Sequence, residues 1–383
     1  MESVAADGGI RIDFISGVRI TIPAHTPEFR YKISDASNGE LYDTGCIAGD
    51  DAISYLYTKR KYFTLWKIEL YRKGRCFFSH TFNAGGKMVF VDLSCGALGD
   101  SVAWLPAAVA FQRKWLCRLI VCMKPEHIPL YEKVYPEIRF LPKSPEAGDI
   151  ATQCYAYYRV AVFGYGNIDR ELMDFRQNNL VRHADMILGV DSGMTPPLVA
   201  GAEDFVLPEV VRGKRYVCIA ARASRKCKEW NNPNGWNAVV AALRQRGFKV
   251  ICIDSDNLNL PPNTVDLTGF MPLPERVEVL RKAEFFIGLP SGLSWLAWAC
   301  QIPVIMISGI TDDYVEFPTP YRIAPPAGVC HGCWQSADQR HRALFADCYY
   351  GRNNECTRKI TPQMVIREID RLMKKEDHLR YTL

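Results

Sequence analysis

No stretch of the 383 residues approaches the roughly 18 consecutive apolar side chains of a membrane-crossing helix, so nothing is expected to span a bilayer. The opening residues Met1 to Asp7 lack a basic region followed by an apolar core, and no secretory signal is expected there. Internal repeats and low-complexity tracts are also missing. Neither sign of charge dominates: 47 basic against 42 acidic residues leave a net charge of +5. That mild excess suits an anionic small ligand as well as nucleic acid and decides neither. Aromatic residues are plentiful, which excludes a disordered chain. The length allows two to three domains with sizeable cores.

Cysteine is what the chain has in quantity. Ten of the fourteen are scattered singly, among them Cys95, Cys117, Cys122, Cys218 and Cys252 in apolar, strand-like surroundings. They read as reduced core residues of a cytosolic, hence cytoplasmic, protein. The other four cluster as Cys330-His331-Gly332-Cys333, then Cys348 and Cys356. A Cys-x-x-Cys knuckle with two further thiols at loop distance can close a tetrahedral sulfur site for Zn or a single iron. His331 and His341 are reserve ligands. Four buried free thiols, or two disulfides, are the structural alternative. The polar segment from Trp334 to Arg340 has no core of its own, and a metal cross-link would order it.

Taken in order, residues 8–91 read as short β-strands. Ile10–Phe14 and Val18–Ile22 alternate with period two around Ser16-Gly17, and Phe29–Ser34 runs into the Asn38-Gly39 hairpin signal. Tyr62–Tyr71 and Arg75–His80 form another pair. Basic residues interleaved with aromatics between Tyr57 and Arg75 suit either a nucleic-acid surface or a sheet with one solvated face. From Met88 the pattern changes to strands alternating with helices, which predicts doubly wound parallel sheets. The first set takes strands at Met88–Leu93, Leu119–Met123, Ile138–Leu141 and Tyr158–Phe163, with helices at 101–114 and 180–188. The second has strands at Tyr216–Ala220, Lys249–Ile253, Val265–Gly269, Phe285–Leu289 and Val304–Ile307. Its helices fall at 235–246, 273–282 and 295–301, and a last helix covers 361–375.

Ligands of such sheets bind at the carboxyl ends of the strands. Three loops there carry chemistry. Gly96-Ala97-Leu98-Gly99-Asp100 puts a carboxylate at a helix start, either facing a cleft or acting as a helix cap. Arg222 to Trp230 offers four cations, Arg222, Arg225, Lys226 and Lys228, for a diphosphate or as a solvated loop. Ser291-Gly292-Leu293-Ser294 opens a helix whose amides could cradle a phosphate, or is a plain capping turn. Together they favour a phosphate-bearing ligand held mainly by the second sheet.

The Leu98-Gly99-Asp100 turn, the Lys228-Glu229-Trp230 loop, Leu267-Thr268-Gly269 with Met271-Pro272-Leu273, and Ser291-Gly292-Leu293-Ser294 stand in the order seen in ADP-heptose-dependent glycosyltransferases. Those enzymes have the two-Rossmann-domain GT-B architecture. The stretches from Lys228 to Trp236 and from Ser291 to Trp298 narrow the resemblance. So does Cys330-His331-Gly332-Cys333-Trp334 with Glu355-Cys356-Thr357-Arg358. The chain resembles the bacterial autotransporter heptosyltransferases, which O-heptosylate serines of AIDA-type adhesins.

That resemblance implies an inverting protein O-heptosyltransferase. Its donor would be ADP-heptose, ADP-D-glycero-D-manno-heptose in the family, and its acceptor an autotransporter adhesin passenger domain. It implies Asp100 as catalytic base and Lys228 at the departing diphosphate. Ser224, Thr268, Gly269, Met271, Ser291, Gly292 and Leu293 would line the nucleotide-sugar pocket, and Asp254, by position, would meet the ribose. Cys330, Cys333, Cys348 and Cys356 would hold one Fe(III) per chain, with Zn as alternative, and the chains would assemble as a dodecamer.

The implied division is a β-domain over 1–86 serving acceptor or assembly, Rossmann-like domains over 87–205 and 206–325, a four-cysteine metal-binding segment over 326–360, and a helix over 361–383. The metal is expected to lie away from the three strand-end loops and to be structural. One departure is Pro290 before Ser291, and Trp295 after Ser294, where lipopolysaccharide heptosyltransferases carry an aspartate and a histidine. It argues against lipopolysaccharide core as acceptor. The rival readings are a glycolipid heptosyltransferase and a metal-stabilised nucleic-acid-binding protein; the main reading expects no nucleic-acid partner.

Overall fold

The computed structural model describes residues 2–162, 167–258, 260–336 and 347–381. The reserve ligand His341, residue Phe163 and most of the polar segment after Trp334 lie outside them. Eight strands come first: β1 (Val4–Ala5), β2 (Arg11–Asp13), β3 (Arg19–Ile22), β4 (Phe29–Asp35), β5 (Leu41–Ile47), β6 (Ser54–Tyr57), β7 (Trp66–Arg72) and β8 (Arg75–Thr81). They make two antiparallel sheets, ordered β1-β2-β3-β6 and β5-β4-β7-β8 among the described residues. Period-two alternation buries Ile20, Ile22, Ile33, Trp66, Ile68 and Leu70. The β4–β5 hairpin turns through Gly39 at φ +78, a left-handed conformation that glycine adopts without strain. Lys32 and Lys67 both pair with Glu69 across the open face, at 3.7 and 3.1 Å, so the basic-aromatic pattern there is the two faces of one sheet.

Two parallel sheets follow. The first comprises β9 (Met88–Asp92), β10 (Arg118–Met123), β11 (Arg139–Pro142) and β12 (Ala156–Arg159), in the order β11-β10-β9-β12. Helices α1 (Leu98–Trp115), α2 (Pro145–Gln153) and α3 (Leu180–Leu188) accompany it. The second comprises β13 (Tyr216–Ile219), β14 (Lys249–Cys252), β15 (Val265–Asp266), β16 (Phe286–Gly288), β17 (Val304–Ile307) and β18 (Tyr321–Ile323), in the order β15-β14-β13-β16-β17-β18. Its helices are α4 (Gly235–Gln245), α5 (Leu273–Arg281) and α6 (Gly292–Ala299), and the closing helix Pro362–Tyr381 packs on α4, β17 and β18. Their strands read as unbroken apolar runs because both faces are covered.

The doubly wound α/β expectation therefore holds, with shifts at the edges. β12 sits at Ala156–Arg159 rather than from Tyr158 onward, because Tyr155 and Ala156 are wholly buried beside β9. Its far edge is hydrogen-bonded to the opening β-segment: Phe14 N–H donates to the Tyr155 carbonyl at 2.7 Å, and Tyr157 N–H to the Phe14 carbonyl at 3.2 Å. α1 starts at Leu98 and α6 at Gly292, each three residues earlier than the apolar periodicity suggests. Their first turns are glycine-containing and carry little hydrophobic signal. The strand β18, short and directly after Pro320, is an addition to the expected set.

Candidate active site between the two parallel sheets

Each parallel sheet reverses its strand order once, between β9 and β12 and between β13 and β16. The crevice at such a reversal is where open α/β sheets take ligands. At the first lie the Cys95–Asp100 loop and Arg159; at the second lie the loop after Ile219 and the Ser291 turn. The N-termini of α1 and α6 meet across the gap. A Cβ on Gly99 would stand 2.8 Å from Trp295 Cδ1, and one on Gly292 would stand 2.9 Å from Leu98 Cβ. Only a bare backbone permits this approach. Trp295 is buried against Phe317 and Trp298 and helps to close this junction.

Asp100 is the third residue of α1, not its cap. Ala97 is the N-cap and has no side-chain acceptor, so the Asp100 carboxylate reaches back to accept from Ala97 N–H at 2.7 Å. Burial pushes its pKa up, opposed by that amide and by the charges of Lys228 and Lys124. A carboxylate so raised is a stronger base than a solvated one. Next to it Ser101 and His127 Nδ1 lie 2.7 Å apart, but Ser101 is fully buried, so this pair is core.

Lys228 ends a short 3-10 turn, Lys226–Lys228, at the second reversal point. Half-buried, it has its pKa pulled down by desolvation, while Glu316 and Asp100 pull it up. Asp100 and Lys228, from opposite sheets, are thus electrostatic neighbours. Glu316 is buried, 2.9 Å from Arg322, and nothing in the sequence marked it. In the Ser291 turn the side chain makes no cap bond, leaving the Gly292 and Leu293 amides as open first-turn donors. Ser294 Oγ instead donates to the Leu289 carbonyl at 2.5 Å.

The remaining pocket residues divide. Ser224 is exposed on the loop after β13, and Met271 is half-buried on the loop after β15. Thr268 caps its own turn through Asp266, at 2.9 Å from its N–H and 2.6 Å from its hydroxyl. Gly269, at φ +87, accepts from Arg276 at 2.6 Å. Phe270 between Gly269 and Met271 is fully exposed, an aromatic face that the sequence reading passed over. Asp254, expected at the ribose, is 2 % exposed, and its oxygens accept from the Ala221 and Arg222 amides at 2.9 and 3.2 Å, tying two strand-end loops together.

Cys330, Cys333, Cys348 and Cys356 all line one cavity of about 30 Å³, with Cys227 as a fifth thiol. Burial, reinforced by the neighbouring thiols, pushes Cys333 up to about 12 and Cys356 to about 11. Among the described residues no three His, Cys, Asp or Glu side chains stand in a ready coordination arrangement. The donor chemistry of four convergent thiols nevertheless suits one thiophilic ion. His331 is turned toward Asp312, 3.2 Å away.

The expected separation from the strand-end loops is corrected. Cys227 packs against Cys356 and Ile310, and Trp334 N–H donates to the Ile310 carbonyl at 2.9 Å. The Trp334 ring lies under Lys228, 4.7 Å from Nζ to centroid. Trp230 and Asn231 also bond to Ile360 and Thr357, each at 2.9 Å. The cysteine stretch is thus the floor of the lysine loop, because the loops after β13 and β17 bring it there.

Two facing crevices thus hold the Asp100 carboxylate on one side and the Lys228 ammonium on the other, and residues 202–341 match the model for glycosyltransferase family 9 (heptosyltransferase), which makes the chain a glycosyl-transferring enzyme. The chain is 34% identical to the autotransporter heptosyltransferase Aah of Escherichia coli, over 95% of this chain and 93% of that one. It is 36% identical to the autotransporter heptosyltransferase TibC of Escherichia coli O78:H11, covering 96% and 91%. The crystal structure of dodecameric, iron-containing TibC with ADP-D-beta-D-heptose superposes with a TM-score of 0.85, over 97% of this chain and 98% of that one, at 33% identity. An inactive autotransporter heptosyltransferase, BimC of Burkholderia thailandensis, is 32% identical over 96% and 87%, so turnover must be argued from the site itself. The chain belongs to the autotransporter heptosyltransferase family.

Proposed function

We propose that the chain is an inverting protein O-heptosyltransferase of GT-B architecture that moves heptose from ADP-heptose to serine hydroxyls of an autotransporter passenger domain. The observation that carries this is the convergence of Asp100 and Lys228 from opposite sheets onto one gap. The serine oxygen attacks the anomeric carbon on the face away from ADP, and its proton passes to the Asp100 carboxylate. The bond from that carbon to the diphosphate oxygen breaks as the new one forms, which inverts the centre. Charge grows on the departing ADP, opposite the Lys228 ammonium and the open amides of Gly292 and Leu293. Ser224, Thr268, Gly269 and Met271 line the donor side in this reading, with Phe270 available to the base. Asp254 holds the loops.

Cys330, Cys333, Cys348 and Cys356 would hold one Fe(III), or Zn, which would supply a cross-link fixing the floor under Lys228. A dodecamer, a cytoplasmic location and a passenger domain as partner go with the family reading; no helix among the described residues is long and apolar enough to cross a membrane. The test is the intact mass of a passenger domain co-expressed with the chain. Increments of one heptose on serine support the reading. An unmodified passenger, with heptose found on glycolipid instead, overturns it in favour of the glycolipid enzyme.

A further inference from the structure

The crevice at the first reversal point is a second cavity, of about 480 Å³, with the Asp100 carboxylate in its wall. That volume is in the range of small-ligand pockets. Trp104, Ala161 and Val162 give it an apolar side, while Asn167, Arg159 and Arg170 give it a polar one. Nothing in the donor reading uses these residues. Arg159 is the last residue of β12, in register with Asp92 at the end of β9. Among the described residues it stands 4.0 Å from that Asp92 through Nε, longer than a hydrogen bond, and its side chain is 44 % exposed. Asp92 is occupied elsewhere: its oxygens accept from Ser94 N–H at 2.9 Å and from the Tyr157 hydroxyl at 3.0 Å. The Cys95 thiol, also in the cavity wall, takes one hydrogen bond from the Arg159 guanidinium, whose other donors, at a strand end beside Asp100, are left for a ligand.

We propose that this crevice is the acceptor subsite and that Arg159 selects acceptor segments carrying an aspartate or glutamate beside the serine. The inference rests on the protein O-heptosyltransferase reading and adds the acceptor's chemical class. A carboxylate fits because arginine presents parallel N–H donors that match its two oxygens. The apolar wall of Trp104, Ala161 and Val162 takes the rest of the extended segment, and the Asn167 amide suits its main chain. The serine is then delivered to Asp100 from the side opposite Lys228, as inverting transfer requires.

Short serine peptides that differ only in the neighbouring residue, Asp, Asn or Lys, test this. The full-length protein should use the Asp peptide with kcat/KM roughly tenfold or more above the Asn peptide, the scale of a charged hydrogen bond. Arg159→Gln should erase that preference through acceptor KM, leaving donor KM in place. Arg159→Glu should turn the preference toward the Lys peptide, a gain that a misfolded variant cannot produce. Equal use of Asp and Asn peptides by the unaltered protein overturns the proposal. So does an Arg159→Gln effect confined to donor KM, which would assign the arginine to the diphosphate. Transfer to the intact passenger domain is scored in parallel. If it proceeds while the peptides show no charge preference, only the acceptor assignment falls; if it fails, the parent reading falls with it.

Discussion

Gly99 and Gly292 meet backbone to backbone: a Cβ on Gly99 would come within 3.4 Å of Gly292 Cα, and one on Gly292 within 3.2 Å of Gly99 N. This is where α1, which carries Asp100, touches α6, which opens at the Ser291 turn. Neither glycine has a positive φ, so alanine at either site is a purely steric change. Gly292→Ala should wedge α6 away from Leu98 and lengthen the gap between Asp100 and Lys228. The expected result is a fall in kcat of tenfold or more, with ADP affinity lowered as well because the Gly292 and Leu293 amides move with α6, measured by transfer assays and calorimetry. A small displacement at a reacting centre has effects of this order.

Asp100→Asn keeps the side chain's shape and removes the base. Folding and ADP binding should survive, while heptose transfer falls by roughly a hundredfold to ten-thousandfold. Thermal melting with transfer rates decides it: near-normal transfer with an unchanged midpoint would reduce Asp100 to a partner of the Ala97 amide.

Lys228→Ala should weaken ADP binding and slow transfer by roughly a hundredfold, the scale of losing a fixed charge at a developing anion. It should also move the pH profile. Lys228 holds the Asp100 pKa down against burial, so removing it lets that pKa rise further. The base is active when ionised, and the acidic limb of the rate profile should therefore shift to higher pH. A limb that stays put would mean the two charges do not meet.

Replacing Cys330 or Cys348 by serine should abolish stoichiometric iron or zinc in elemental analysis and reduce assembly. Because Trp334 lies under Lys228, Trp334→Leu should weaken ADP binding in protein that still carries its metal. Full metal content in a Cys330→Ser, Cys348→Ser double variant would exclude these ligands.

Glu171 is buried, and Oε2 lacks a hydrogen-bond partner among the described residues. Desolvation, aided by Asp174, raises its pKa from 4.5 to about 7. The folded chain therefore holds a proton that the unfolded chain has lost between those values. Stability should fall as pH rises from about 4.5 to 7, by roughly 3 kcal/mol in all. Glu171→Gln should flatten that dependence in denaturant titrations and leave the protein more stable at pH 8. An unchanged slope would show that the carboxyl is hydrated.

Alternation of apolar runs with helices made the two parallel sheets legible, since buried strands and covering helices impose their periods on sequence. Position at strand ends and within motifs singled out Asp100 and Lys228, and the fold makes them electrostatic neighbours. What stayed hidden was long-range. Cys227 joins the late cysteines, and Glu316 faces Lys228, only because the loops after β13 and β17 fold toward each other. The inward turn of Asp254 depends on the Ala221 and Arg222 amides 33 and 32 residues away, which no local pattern encodes.

The hydrogen bonds that Phe14 makes along the free edge of β12 bear on how the chain can be cut. An uncovered parallel edge is a template for pairing with other chains. Deleting residues 1–86 would strip that cover and also remove Phe63 and Phe82 from the aromatic cluster around Trp115. The opening strands and the first parallel sheet should accordingly exchange their amide hydrogens as one cooperative unit. A shortened chain starting at β9 would lose its solubility before its chemistry could be assayed.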